Sequence, residues 1–316
     1  MKEIGGYIEL DSYNHPMLHE GAIALNCGRN ALAYILRSRK IKKLKLPFFI
    51  CNSIIDVCKR EEVRVNYYNI GKDFRPMENL VLAEDEWIYI VNFYGQLSND
   101  IIQGYVDKYK RILVDQANGY FEPPLSGVDT LYTCRKWFGV ADGAFLYTDA
   151  LLQENFPQDE SFDRMRFLLG RFEKGASDFY DEYKLNNLHF AKEPIKRMSK
   201  LTHNLLHAID YYEVKKRRSE NFDYLHSRLG SMNLLNLRSA TFMYPLMVEN
   251  GCLLRSKLAE KKIYIPTLWP SVFAISSPGD LEYNMAENIL PLPIDQRYGL
   301  SDMDYIADHV IEHLKG

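Results

Sequence analysis

Apolar side chains recur along the first 150 residues in two alternating rhythms. In GRNALAYILRSRK, residues 28–40, Ala31, Leu32, Ile35 and Leu36 fall on one helical face. KLKLPFFI then reads as a strand and SIIDVCKRE as a short helix. VRVNYYNI is β-branched and aromatic, which predicts a second strand. WIYIVNFYG is an almost unbroken apolar run, the mark of a strand covered on both faces, and the strand-like pattern continues through Tyr89 to Gln96. DIIQGYVDKY is helical, RILVD is a short strand ending in an acid, and TLYTC and AFLYT are two further strands. Strand and helix alternating in this order predict an open, mostly parallel α/β sheet covered by helices.

After Asp149 the rhythm changes. Residues 160–229 are rich in Arg, Lys, Glu, Leu and Tyr and contain no strand run. They read as two or more long helices interrupted at Pro194, because proline cannot donate the helical hydrogen bond. A mixed pattern then returns. TFMYPLMV predicts a strand, CLLRSKLAEKK a helix, ILPLPI an extended piece and MDYIADHVIEHLKG a final amphipathic helix. The expected organisation is a large α/β domain over residues 1–159, a helical connector over 160–230 and a smaller C-terminal α/β domain over 231–316.

Composition narrows the function. The chain has 316 residues, 47% hydrophobic and 26% charged, which suits a globular protein with a sizeable core. A formal net charge of -3 gives no electrostatic footprint for nucleic acid and no polybasic membrane anchor. The first residues lack an apolar run of signal-peptide type, and no stretch has the apolar length of a membrane span. Five scattered cysteines without metal-ligand spacing predict no metal site and reduced thiols, hence a cytoplasmic protein.

Four stretches place chemistry where a ligand could use it. NCGRNAL puts Gly28, Arg29 and Asn30 at a helix start, where free N–H groups and the helix dipole favour an anion; it also fits a plain helix N-terminus. Asp115 closes a predicted strand, and ligands of open α/β sheets sit outside the carboxyl ends of strands. The same Asp suits an Asx turn leading into Asn118-Gly119. Lys136 directly follows a strand and is flanked by Trp137 and Phe138, whose simplest role is packing. Its amine is either a nucleophile for a carbonyl or a snorkelling surface cation. YIVNFYGQ ends a buried strand in polar groups, or in a simple glycine turn.

Taken in order, these stretches resemble the fold type I pyridoxal 5'-phosphate (PLP) enzymes, and more narrowly the DegT/DnrJ/StrS sugar aminotransferases. GRNAL is similar to the family's phosphate-binding helix start, LPFFICNSI to its Pro-containing strand, NFYGQLSND to its strand end, LVDQANGYF to its aspartate strand and CRKWFGVADGAFLYT to its lysine loop. The likeness returns after the connector in MYPLMVENGCLLRSKLAEKKIYIPTLWP and LPLPIDQRYGLSDMDYIADHVIE. Two departures stand out. Leu131 lies where the family has Ser or Thr, and ADGA replaces a double glycine.

The resemblance implies that Lys136 carries the cofactor as a Schiff base and that Asp115 keeps its pyridine nitrogen protonated. It places Gly28, Arg29, Asn30 and Thr133 at the phosphate and Cys51 or Phe49 over the ring. Asn118 falls near the ring oxygen; Trp269, Pro270 and Tyr94 either line the substrate pocket or serve as core and turn residues. It further implies PLP as cofactor, an amino donor, a keto-sugar acceptor attached to a nucleotide, and a homodimer. Elimination or racemisation on the same scaffold, or ligand binding without turnover, are the competing readings.

Overall fold

The computed structural model describes residues 4–77 and 80–315. In chain order, β1 (Ile23–Leu25) leads into α1 (Gly28–Ser38), followed by β2 (Lys43–Pro47), α2 (Asn52–Arg60), β3 (Arg64–Tyr68) and β4 (Trp87–Val91). Then come α3 (Asn99–Lys108), β5 (Ile112–Asp115), β6 (Asp129–Thr133) and β7 (Ala144–Tyr147). Four helices succeed them without a strand: α4 (Arg166–Glu173), α5 (Tyr180–Lys192), α6 (Lys200–Leu206) and α7 (Tyr211–Leu229). The C-terminal part contains β8 (Met243–Met247), α8 (Gly251–Glu260), α9 (Val272–Ile275), α10 (Leu281–Asn288), β9 (Ile289–Pro293) and α11 (Leu300–Lys315).

Seven strands form one sheet in the order β1-β7-β6-β5-β4-β2-β3. Neighbours from β3 to β6 are parallel, and β7 runs antiparallel to both β6 and β1. The sheet is therefore mostly parallel, as the sequence predicts, with one reversed strand. That reversal stems from the short link between β6 and β7, since a parallel crossover needs a dozen or more residues. The central strands β4 and β5 are buried almost throughout, which explains their unbroken apolar texture. A second core joins Phe222, Leu225 and Leu229 of α7 to β8, α8, β9 and α11, with β8 and β9 paired antiparallel.

The structure departs from the sequence reading in several places. The strand beginning at Trp87 stops at Val91 instead of running to Gln96; Phe93–Gly95 turns as a short 3-10 segment in which Tyr94 has φ 54. Strand β1 and helix α9 are too short, and helix α10 too polar, to announce themselves. Pro194 ends the helical run as expected, but the chain then continues extended: Asn26 N–H donates to the Lys196 carbonyl at 3.0 Å and Met198 N–H to that of Ala24 at 3.1 Å. The segment after the proline thus lies along the outer edge of the sheet and covers it.

Candidate active site

The ends of β5 and β6 are neighbours in the sheet, with Asp115 opposite Leu131. Asp115 is the last residue of β5 and is buried. Its Oδ2 accepts from the Tyr89 hydroxyl at 2.7 Å and its Oδ1 from the Ala117 N–H at 2.7 Å. The Asx turn and the strand-end carboxylate are one residue doing both things. Burial pushes the Asp115 carboxyl up, above the usual carboxylate range, with the Lys136 charge, the Ala117 N–H and the Tyr89 hydroxyl opposing. Lys136 is thus close enough to be the strongest influence favouring the ionised form.

Lys136 sits in a tight turn directly after β6, where the Trp137 and Phe138 N–H groups both donate to the Cys134 carbonyl at 2.9 and 3.0 Å. Its side chain is exposed, and Nζ lies 5.7 Å from the centre of the Phe242 ring. The returning loop needs its glycine. Gly143 has φ +113, and a Cβ there would come within 3.1 Å of Cys134 Sγ. Asp142 beside it is buried and accepts from the Ser199 N–H at 2.7 Å, the Ser199 hydroxyl at 2.7 Å and the Thr202 hydroxyl. These bonds tie the loop after the lysine to the start of α6.

Helix α1 begins beside the end of β6. A Cβ on Gly28 would meet only the Thr133 side chain, at 3.8 Å, so nothing else crowds the helix start. The first N–H groups of a helix have no partner within it, and a phosphate at this point would find them together with the Thr133 hydroxyl. Arg29 is half-buried and lines a cavity of about 190 Å3 with Asn52, Ser53, Arg60 and Asn187. Asn30 points elsewhere. Its Nδ2 donates to Asn26 Oδ1 at 3.0 Å and to the Pro194 carbonyl at 2.7 Å, and its Oδ1 accepts from Arg60 at 3.0 Å. Its side-chain donors are spent on holding the chain around α1.

Two residues compete for the position over a flat ligand. Phe49 is fully buried against Phe93 and Trp269, with ring centres 5.3 and 5.1 Å apart. Cys51 is half-buried at the N-cap of α2, its Sγ 3.0 Å from Ser53 Oγ, and it lies near Tyr89. Cys51 is therefore the one with a face to offer. Asn118 is buried, and its Oδ1 accepts from the Tyr94 N–H at 3.4 Å. Tyr94 is fully enclosed and packs on Phe74. Trp269 is spent on Phe49 and Phe93, and Pro270 is exposed.

Sequence reasoning misses the groups that fix this geometry. Tyr89 reads as one more apolar strand residue, yet a buried phenol must find a partner, and Asp115 is it. Trp137 reads as packing alone, but its indole N–H also donates to the Ala117 carbonyl at 3.0 Å, linking the lysine turn to the aspartate loop. The site that results has a carboxylate, an amine one strand away and an open helix start beside a threonine. That donor set suits a ligand with a protonatable ring nitrogen, an aldehyde and a phosphate.

No protein-family model and no curated protein matches the chain. Solved structures do. NtdA from Bacillus subtilis, determined with the bound cofactor PMP, aligns with a TM-score of 0.67 at 14% identity, covering 93% of this chain and 73% of that one. Spr1654 from Streptococcus pneumoniae, provisionally a sugar aminotransferase, aligns at 0.65 and 16% over 96% of this chain and 94% of its own; PLP and PMP forms of it align too. The sugar aminotransferase CalS13 from Micromonospora echinospora aligns at 0.63 and 15%, over 92% and 86%. The chain therefore has the fold of the fold type I PLP aminotransferases.

Proposed function

We propose that this chain is a PLP-dependent aminotransferase acting on a keto-sugar carried by a nucleotide. The observation that carries the reading is the placement of Asp115 at the end of β5 and of Lys136 in the turn that follows the neighbouring strand β6, near enough for its charge to act on Asp115. Asp115, held by Tyr89 and Ala117, has the charge and burial to keep a ring nitrogen protonated. Lys136 projects into open space from a rigid turn, which suits an amine that holds an aldehyde and then moves a proton at a substrate carbon. Gly28, Arg29 and Thr133 would hold the phosphate and Cys51 would cover the ring; Asn30 and Phe49 would support them from behind. PLP, when bound, supplies the electron sink that lets an amino group pass from donor to acceptor.

The sugar class rests on likeness to sugar aminotransferases. A homodimer is supported by the exposed apolar side chains of α4 and α5, among them Leu169, Phe172, Tyr180, Leu185 and Leu188. Cytoplasmic residence is supported by five unpaired cysteines. Among the described residues, no helix is long and apolar enough to cross a membrane.

The test is a half-reaction. PLP-loaded protein mixed with glutamate should convert PLP to PMP and release one 2-oxo acid per cofactor. Release of ammonia, or racemised glutamate with the PLP unchanged, would move the assignment to elimination or racemisation.

A further inference from the structure

Among the described residues Arg218 is the largest side chain fully enclosed by the protein, and it lies on α7, where it meets the lysine turn. Among the described residues its guanidinium has no salt-bridge partner, and every hydrogen bond it makes goes to a neutral oxygen. Nε donates to Gln296 Oε1 at 2.7 Å, Nη1 to the carbonyls of Thr241 and Phe242 at 2.9 and 3.3 Å, and Nη2 to the carbonyl of Trp137 at 3.3 Å. The Trp137 carbonyl also accepts from Gln296 Nε2 at 2.8 Å. The guanidinium further stacks over the Trp137 ring, 4.6 Å from its centre.

A buried cation that no carboxylate bonds directly is costly: burial above all, with the Arg297 charge adding to it and Asp295 opposing, pushes this one down to about 10. An aliphatic side chain would fill the space more cheaply. What an aliphatic side chain could not do is hold the carbonyl of the residue directly after Lys136. The contacts run on from there. Trp137 donates to the Ala117 carbonyl, and the Ala117 N–H donates to Asp115. Phe242, whose carbonyl Arg218 holds, faces both the Lys136 amine and the Trp137 ring, at 5.7 and 5.3 Å.

We infer that Arg218 and Gln296 are positioning residues: they clamp the Trp137 carbonyl and ring so that the Lys136 amine stays registered against Asp115. The clamp rests on the proposed role of Lys136. It also means that the lysine turn is held by the C-terminal part of the chain and not by the sheet alone.

Four variants decide it: Arg218→Met and Gln296→Leu, which remove the donors at similar size, Arg218→Lys, which keeps the charge, and Phe222→Leu as a control that loosens the second core without touching Trp137. PLP affinity and the pH midpoint of the lysine-linked absorbance band are measured on each, together with thermal stability. Hydrogen exchange of residues 134–138 is measured on cofactor-free protein. The expected result for the two clamp variants is PLP affinity weaker by about tenfold or more, a displaced midpoint and exchange faster by a similar factor. Arg218→Lys should recover part of each effect, and Phe222→Leu should lower the melting temperature only. Clamp variants that lose stability but keep affinity, midpoint and exchange rate would overturn the inference and leave Arg218 a structural staple. A wild type that takes up no PLP on Lys136 would instead overturn the functional reading, and the exchange rates would then decide the clamp by themselves.

Discussion

Two regions of this chain solve opposite problems. At the carboxyl edge of the large sheet, Gly28, Asp115, Thr133 and Lys136 come from separate elements, yet each is fixed by buried neighbours. In α4 and α5 the helices are regular, but Phe172 is 93% exposed and Leu188 is 66% exposed. The first region is complete within one chain as far as position goes. The second has apolar surface without a cover. Charge tells the same story. The cavity of about 600 Å3 beside α4 and α5 is lined by Asp159, Arg164, His189 and Lys196, and Asp159 is already paired with Arg164 at 2.8 Å and Lys196 at 3.6 Å. Among the described residues Asp115 has no such carboxylate–cation bridge and accepts only from the Tyr89 hydroxyl and the Ala117 N–H. Rigid placement with unspent chemistry marks a site, whereas spent chemistry with unspent apolar area marks an interface.

This contrast can be broken by experiment. The largest expected effect is at Asp115. Asp115→Asn keeps the shape and the bond from the Ala117 N–H, with the Tyr89 hydroxyl turned to accept from the new amide, so PLP should still attach, while transamination should fall by about 100-fold or more; turnover within a few-fold of wild type would remove Asp115 from its assigned role. Next is Asp142→Ala. It leaves the Ser199 N–H and the buried Thr202 hydroxyl without an acceptor, the Ser199 hydroxyl keeping Ser161, and should cost about 3 kcal/mol in urea unfolding. A loss under about 1 kcal/mol would mean that the loop after Lys136 is held by its glycine alone.

A third prediction concerns His19, which is buried between the Tyr120 carbonyl and the Tyr147 hydroxyl. Burial lowers its imidazole to about 4, the Tyr120 carbonyl opposing. The unfolded chain therefore takes up this proton first as the pH falls. Stability should be full above about pH 6.5 and should decline between there and pH 4, by on the order of 3 kcal/mol. His19→Gln should flatten that slope; an unchanged slope would assign the acid sensitivity to other groups. The smallest effect is at the helical surface. Phe172→Ser should change the stability of a single chain by less than about 0.5 kcal/mol. If α4 and α5 meet a second copy, the same change together with Leu188→Ser should lower the mass measured by light scattering to that of one chain. A dimer that survives both would place the interface elsewhere.

The middle of the sheet was legible because β4 and β5 are buried almost throughout and so carry no polar interruptions from Trp87 to Val91 or from Ile112 to Val114. Asp115 and Lys136 stood out for the same reason, as polar residues at the exits of apolar runs. Strand β1 was not legible, because three residues with a half-buried face carry no periodic signal. Nor was the turn at Tyr94, whose positive φ is imposed by the surroundings and not by the residue. The fate of Asn30 turned on Pro194, more than a hundred residues away, a contact that no local pattern records. Arg218 lies inside KKRRSENF, part of the Arg- and Lys-rich helical stretch, and only three dimensions separate it from its neighbours.

The central claim is that one amine, that of Lys136, carries the cofactor opposite Asp115. Purified protein incubated with PLP, reduced with borohydride, digested and mapped by mass spectrometry measures this directly. A phosphopyridoxyl group on the peptide containing Lys136, absent from a Lys136→Ala variant that melts at the wild-type temperature, is the predicted result. The same group on another lysine, or on none, would contradict it.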